Sequence, residues 1–73
     1  MLKVEERLGD GLAVLTVEFF GVIYHGQLWS KVTARKHGTC WRSGRDYVPG
    51  AEVYRPFGNE RNRSQRILAD MID

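Results

Sequence analysis

Apolar and polar residues alternate with a period of two at the start of the chain. In the stretch from Leu2 to Arg7, Leu2, Val4 and Glu6 fall on one side and Lys3, Glu5 and Arg7 on the other. That is the pattern of a half-buried strand. Gly9-Asp10-Gly11 follows, and these residue types accept the positive φ that tight hairpin turns demand. The next run, Leu12 to Phe20, is rich in β-branched and aromatic residues and too apolar for an exposed edge. It predicts a central strand with Ala13, Leu15, Val17 and Phe19 on one face.

Beyond this hairpin the pattern is more broken. Gly21 and Gly26 bracket Val22-Ile23-Tyr24-His25, which reads as a short extended piece or a wide turn. From Gln27 to Lys36, Leu28, Ser30, Val32 and Ala34 alternate against Trp29, Lys31, Thr33 and Arg35. The alternation predicts the small and apolar set facing inward and the basic set outward. His37-Gly38 signals a turn. A last strand is expected around Glu52-Val53-Tyr54-Arg55, ended by Pro56, which cannot donate to a ladder.

The final third changes period. Asn62 and Gln65 have the spacing of a helix capping box, and Ile67, Leu68, Met71 and Ile72 make a narrow helical stripe. A helix this short is marginal alone and must dock on the sheet. The expected fold is a single α+β domain over residues 1–73: a small antiparallel sheet of about four or five strands, partly barrel-like, with one C-terminal helix.

Composition narrows the setting. A chain of 73 residues builds one modest core, with stability on the order of 4–10 kcal/mol. The single cysteine excludes an internal disulfide and fits a reducing, cytoplasmic compartment. No apolar run approaches the roughly 20 residues that span a bilayer, and Met1 to Leu8 lacks the apolar core of an export signal.

The net charge of +2 conceals an asymmetry. Residues 1–30 carry two cations against four acidic groups, whereas residues 31–66 carry nine cations against three. Seven of those nine are arginine, the residue suited to bidentate phosphate or carboxylate contacts. The partner this implies is anionic: nucleic acid or an acidic protein.

The segment Cys40-x-x-Ser43-Gly44 followed by Gly50-x-x-Val53-Tyr54-Arg55-Pro56 resembles half of a zinc-ribbon hairpin. Ser43 occupies the place of the second thiolate, and a neutral hydroxyl is a poor zinc ligand. A metal would have to recruit His37, three residues before Cys40, together with His25 and an acidic group. The favoured reading is metal-free and cofactor-free. Ser43 then bonds amides within the turn and Cys40 packs as a small hydrophobe, with Gly44, Gly50 and Tyr54 completing the structural motif.

With Trp29, Thr33-Ala34-Arg35, Gly38, Asn62 and Ile67, these residues resemble a small proteobacterial family with no assigned activity. The match covers about residues 24–70. The resemblance implies a metal-free relative of the knuckle, a bacterial cytosolic protein and a short terminal helix. The stretch Asp46-Tyr47-Val48-Pro49 departs from that family's pattern, in which an aliphatic residue and then Gly-Asp are expected.

Catalysis finds little footing. Cys40 and His37 are three residues apart around a glycine turn, without a third orienting group, and no glycine-rich phosphate loop exists. A non-catalytic binding module is the better reading. Arg35, Lys36, Arg42, Arg45 and Arg55 interleave with Trp41 and Tyr47 along one hairpin, as a single-strand platform requires. The alternative is a protein-interaction module or homodimer. Phe19, Phe20, Val22, Ile23 and Tyr24 exceed what a core of this size absorbs, and surplus apolar surface marks interfaces.

Overall fold

A computed structural model describes residues 1–73. Strands β1 (Leu2–Gly9), β2 (Leu12–Phe19) and β3 (Val22–Thr33) form a meander. A two-stranded arm follows, made of β4 (Gly38–Thr39) and β5 (Asp46–Tyr47). Strands β6 (Glu52–Pro56) and β7 (Ile67–Leu68) complete a five-stranded sheet in the order β1-β2-β3-β6-β7, with every pairing antiparallel.

The β1–β2 turn follows from its residues. Asp10 and Gly11 both have positive φ, 53° and 74°, which is the type I′ geometry whose twist matches the flanking strands. A second turn of the same kind joins β2 to β3 through Phe20 and Gly21, at φ 47° and 81°. The piece read as a short extended stretch or a wide turn, residues 22–25, is therefore extended, the first third of a continuous 12-residue strand.

Within β3 the pairing slips. Val17 faces Tyr24 but Leu15 faces Gln27, so β3 carries one extra residue there. Gly26, at φ 61°, absorbs it as a bulge. The slip exchanges the faces of everything downstream. Trp29 is fully buried and pairs across to Ala13 and Pro56. The expectation that Trp29 faces outward and Leu28 inward is thus inverted, since a one-residue shift moves the whole side-chain set to the other face.

The core lies on one side of the sheet. Ala13, Leu15 and Val17 of β2, Trp29 of β3, Tyr54 of β6 and Ile67 of β7 pack with Cys40, Ala69 and Ile72. Arg7 donates from Nε to the Ile72 carbonyl at 2.8 Å, which ties the first strand to the last segment.

There is no C-terminal helix, and the fold is mostly β rather than α+β. Ile67–Leu68 adds a strand to β6, and only a 3-10 turn, η1 (Ala69–Met71), follows. Two physical reasons decide this. A helix of some ten residues has little stability of its own, whereas the edge of β6 offers ladder hydrogen bonds at once. The amide pair expected to cap the helix is also engaged elsewhere. Gln27 and Asn62 exchange hydrogen bonds of 3.0 and 2.8 Å, Asn62 donates to Gln65 Oε1 at 3.0 Å, and Gln65 donates to the Glu18 carbonyl at 3.2 Å. No helix is long and apolar enough to cross a membrane.

Candidate functional site

The largest concavity lies on the side of the sheet opposite the core, where β3 runs on into the two-stranded arm. It is a cleft of about 1180 Å³ lined by 14 residues. Its floor is Val32 of β3 and Val53 of β6, which pair directly. Arg35, Lys36 and His37 come from the bend after β3, Arg55 from β6, and Ser64 and Arg66 from the segment before β7. Thr39 and Tyr47 close it from the arm. Lys31 also lines it. No aspartate or glutamate is among the lining residues.

Sequence order alone explains part of this clustering. Arg55 sits opposite Ser30 in the β3–β6 ladder, on the face shared with Val32 and Val53. The chain leaves β3 at Thr33, and Ala34 is held by backbone bonds to Ala51 and Gly50 of 2.8 and 2.9 Å. That anchor fixes where Arg35 and Lys36 emerge. Tyr47 is placed by Gly38, its ladder partner. The tyrosine ring occupies the space where a Gly38 side chain would begin, so any Cβ there would collide with it.

The cations of the cleft are mostly uncompensated. The ion pairs of the protein are Lys3–Glu5, Lys31–Asp73 and Arg45–Asp70. Lys31 therefore has its counter-ion, while Arg35, Lys36, Arg55 and Arg66 have none. Arg66 is half-buried and donates only to the carbonyls of Arg63 and Gln65, both at 2.9 Å. Burial, and then the nearby positive charge of Arg55, push its pKa below the usual guanidinium value. A half-buried guanidinium without a carboxylate, beside a second cation, is what an anion would relieve.

The residues expected to form one basic hairpin face are divided by the structure. Arg35, Lys36, Arg55 and Tyr47 meet in the cleft. Arg45 is spent on Asp70. Arg42 is exposed on the knuckle turn, and Trp41 joins Phe19 and Phe20 outside the cleft. Arg66 and Ser64 belong to the cleft but were not among the expected residues. The reading of the C-terminal segment as a helix hid them, and Arg61, Arg63 and Arg66 before the apolar pair Ile67-Leu68 were the available signal.

The knuckle itself is held by ordinary hydrogen bonds. Cys40 is 1% exposed, and its sulfur accepts from the backbone amides of Ser43 at 3.4 Å and Leu68 at 3.3 Å. Ser43 Oγ accepts from the Arg45 amide at 3.3 Å, and Gly44, at φ 75°, turns the chain. Gly50 has φ 100° in the turn before β6, and Tyr54 donates to Asp73 Oδ1 at 2.7 Å. Burial pushes the Cys40 thiol up, but hydrogen bonds from Ser43 and from the Leu68, Ser43 and Arg42 amides outweigh it, so it titrates below the ordinary thiol value. Nowhere do three His, Cys, Asp or Glu side chains converge as metal ligands do.

Compared with known proteins, the chain matches no family model, no curated protein and no solved structure. Nothing in these comparisons bears on the family resemblance drawn from the sequence.

Proposed function

We propose that the protein is a non-catalytic binding module whose cleft takes an anionic partner, with the phosphates of nucleic acid as the ligand that fits best. One observation carries the reading: the cleft gathers Arg35, Lys36, Arg55 and Arg66 without an acidic residue in its lining or an ion pair to neutralise them. Isolated surface cations are usually solvated singly. Four that converge on one concavity raise the local potential and concentrate anions. The Thr33, Ser64 and Tyr47 hydroxyls of the same walls supply neutral donors for phosphate oxygens.

Several residues behind the proteobacterial resemblance line this cleft: Thr33, Ala34, Arg35, Gly38, Val53 and Arg55. The proposal extends to relatives that keep them. A cytoplasmic setting fits a buried, unpaired Cys40. The test compares retention of labelled single-stranded oligonucleotide by the wild type and by Arg35→Ala/Lys36→Ala. Both side chains are exposed and make no hydrogen bond, so the variant keeps its fold. Weaker retention by the variant supports the cleft; equal retention removes it.

The rival reading, a protein-interaction module or homodimer, draws on the exposed Phe20, Ile23 and Trp41. A concentration-dependent molecular mass in solution would favour it.

A further inference from the structure

We propose that Phe19, Phe20 and Trp41 form a base-stacking platform that adjoins the cleft at the Arg66 segment, so that the ligand is a nucleic-acid strand with unpaired bases. The inference rests on the anionic-ligand reading of the cleft and narrows it from any polyanion to one that carries aromatic rings.

The first argument is conformational. Phe20 has φ 47° at the first central position of a type I′ turn. Glycine, asparagine and aspartate take that conformation readily, and a bulky side chain takes it at a cost. The matching position of the β1–β2 turn is Asp10. Phe20 gains little burial in return, since it is 73% exposed. An exposed aromatic ring held in a disfavoured backbone conformation points to a use for the ring.

The second argument is the arrangement. The Phe19 ring centroid lies 4.7 Å from that of Phe20 and 4.9 Å from that of Trp41, and Phe20 lies 5.3 Å from Trp41. The indole N–H is already committed to the Glu18 carbonyl at 3.1 Å. Trp41, 43% exposed, therefore offers solvent an apolar ring without a free donor. Stacking a base asks for just such a surface, and every base has a π-face to offer.

The third is position. The Trp41 amide donates to the Arg66 carbonyl at 2.8 Å, and Thr39, two residues before Trp41, lines the cleft with Arg66. Trp41 thus adjoins, through the Arg66 backbone, the segment that forms one wall of the cleft. The exposed Glu18 carboxylate alternates to the opposite face of β2 from the Phe19 ring. Cations that track phosphates beside rings that stack bases define a single-strand site.

The experiment titrates wild type and Phe20→Gly with oligodeoxythymidylate and, separately, with inorganic polyphosphate of equal charge. Indole fluorescence reports on the cap, because Trp29 is fully buried; Trp41→Phe checks that assignment. Glycine suits the turn, so Phe20→Gly is expected to melt no lower than wild type. It should bind the oligonucleotide about five- to hundredfold more weakly and polyphosphate equally well. Oligonucleotide binding unchanged in Phe20→Gly overturns the stacking platform and leaves the cleft intact. Failure of both ligands to bind the wild type removes the cleft reading and this proposal together. A wild-type dimer that becomes monomeric in Phe20→Gly also overturns it, by assigning the cap to a contact between copies.

Discussion

The carboxamides of Gln27 and Asn62 exchange two hydrogen bonds, 3.0 Å in one direction and 2.8 Å in the other. They join the middle of β3 to the loop before β7. The buried Trp29 indole donates to the same Gln27 oxygen at 2.9 Å, and Asn62 is fully buried. Every buried side-chain nitrogen and oxygen in the protein has a partner, so this network is complete and any deletion leaves a buried orphan.

Asn62→Ala is accordingly expected to destabilise the protein by about 1–3 kcal/mol, through the unpaired Gln27 and Gln65 groups. For a domain with only several kcal/mol to lose, urea denaturation will show the change plainly. A midpoint equal to wild type would mean that water replaces the amide without loss.

The same network shows why only part of the fold was legible in the sequence. Asn62 and Gln65 do interact, at the spacing that suggested a capping box, but their other partners lie 35 and 47 residues away. Local spacing cannot report a tertiary claim on a side chain. In β3, Gln27 is a polar residue on the core side, and alternation from Gln27 onward offers two faces; the one carrying Trp29 and Lys31 turns inward because the Gly26 bulge shifts the register against β2. The first hairpin was readable because both of its signals, period-two alternation and Gly-Asp-Gly, are local. Of the cleft, the basic residues were visible as composition. Their division between cleft, aromatic cap and the Asp70 ion pair depended on a register that composition does not carry.

A side chain at Gly38 is expected to displace Tyr47. In Gly38→Ala the new methyl meets the Tyr47 ring, which must swing away and take one wall of the cleft with it. A loss of about 1–3 kcal/mol is expected from such overpacking, with weaker anion binding. Gly38→Ala/Tyr47→Ala removes the collision and should regain part of the stability, as a thermodynamic cycle on the two positions would reveal.

Cys40 should react slowly with a thiol reagent in the native protein. It is 1% exposed and its sulfur is occupied by two backbone amides, so labelling requires the knuckle to open. The rate should rise with sub-denaturing urea. Labelling as fast as in the unfolded chain would show that the sulfur is accessible in solution.

Acid should weaken the contact that ties Asp73 to the sheet. The Lys31 ammonium, and then the Tyr54 hydroxyl, hold the Asp73 carboxyl below its ordinary value of 3.8. A carboxyl whose pKa folding lowers contributes stability above its unfolded value and loses it as pH falls through the folded one. Melting temperature should therefore decline below about pH 4. Asp73→Asn should flatten that part of the profile, and an identical acid limb in the variant would show that other carboxylates dominate it.

The cleft's charge is tested most directly by salt. Single-strand binding weakens with a logarithmic slope of about −0.7 per phosphate neutralised, so the four unpaired cations predict a slope of about −3 for wild type. Arg35→Ala/Lys36→Ala should bring it to about −1.4 while leaving the melting temperature unchanged. Measured by fluorescence anisotropy with a labelled oligonucleotide across a salt series, that paired result supports the cleft as the anion site. A wild-type slope near zero, or the same slope in both proteins, would contradict it.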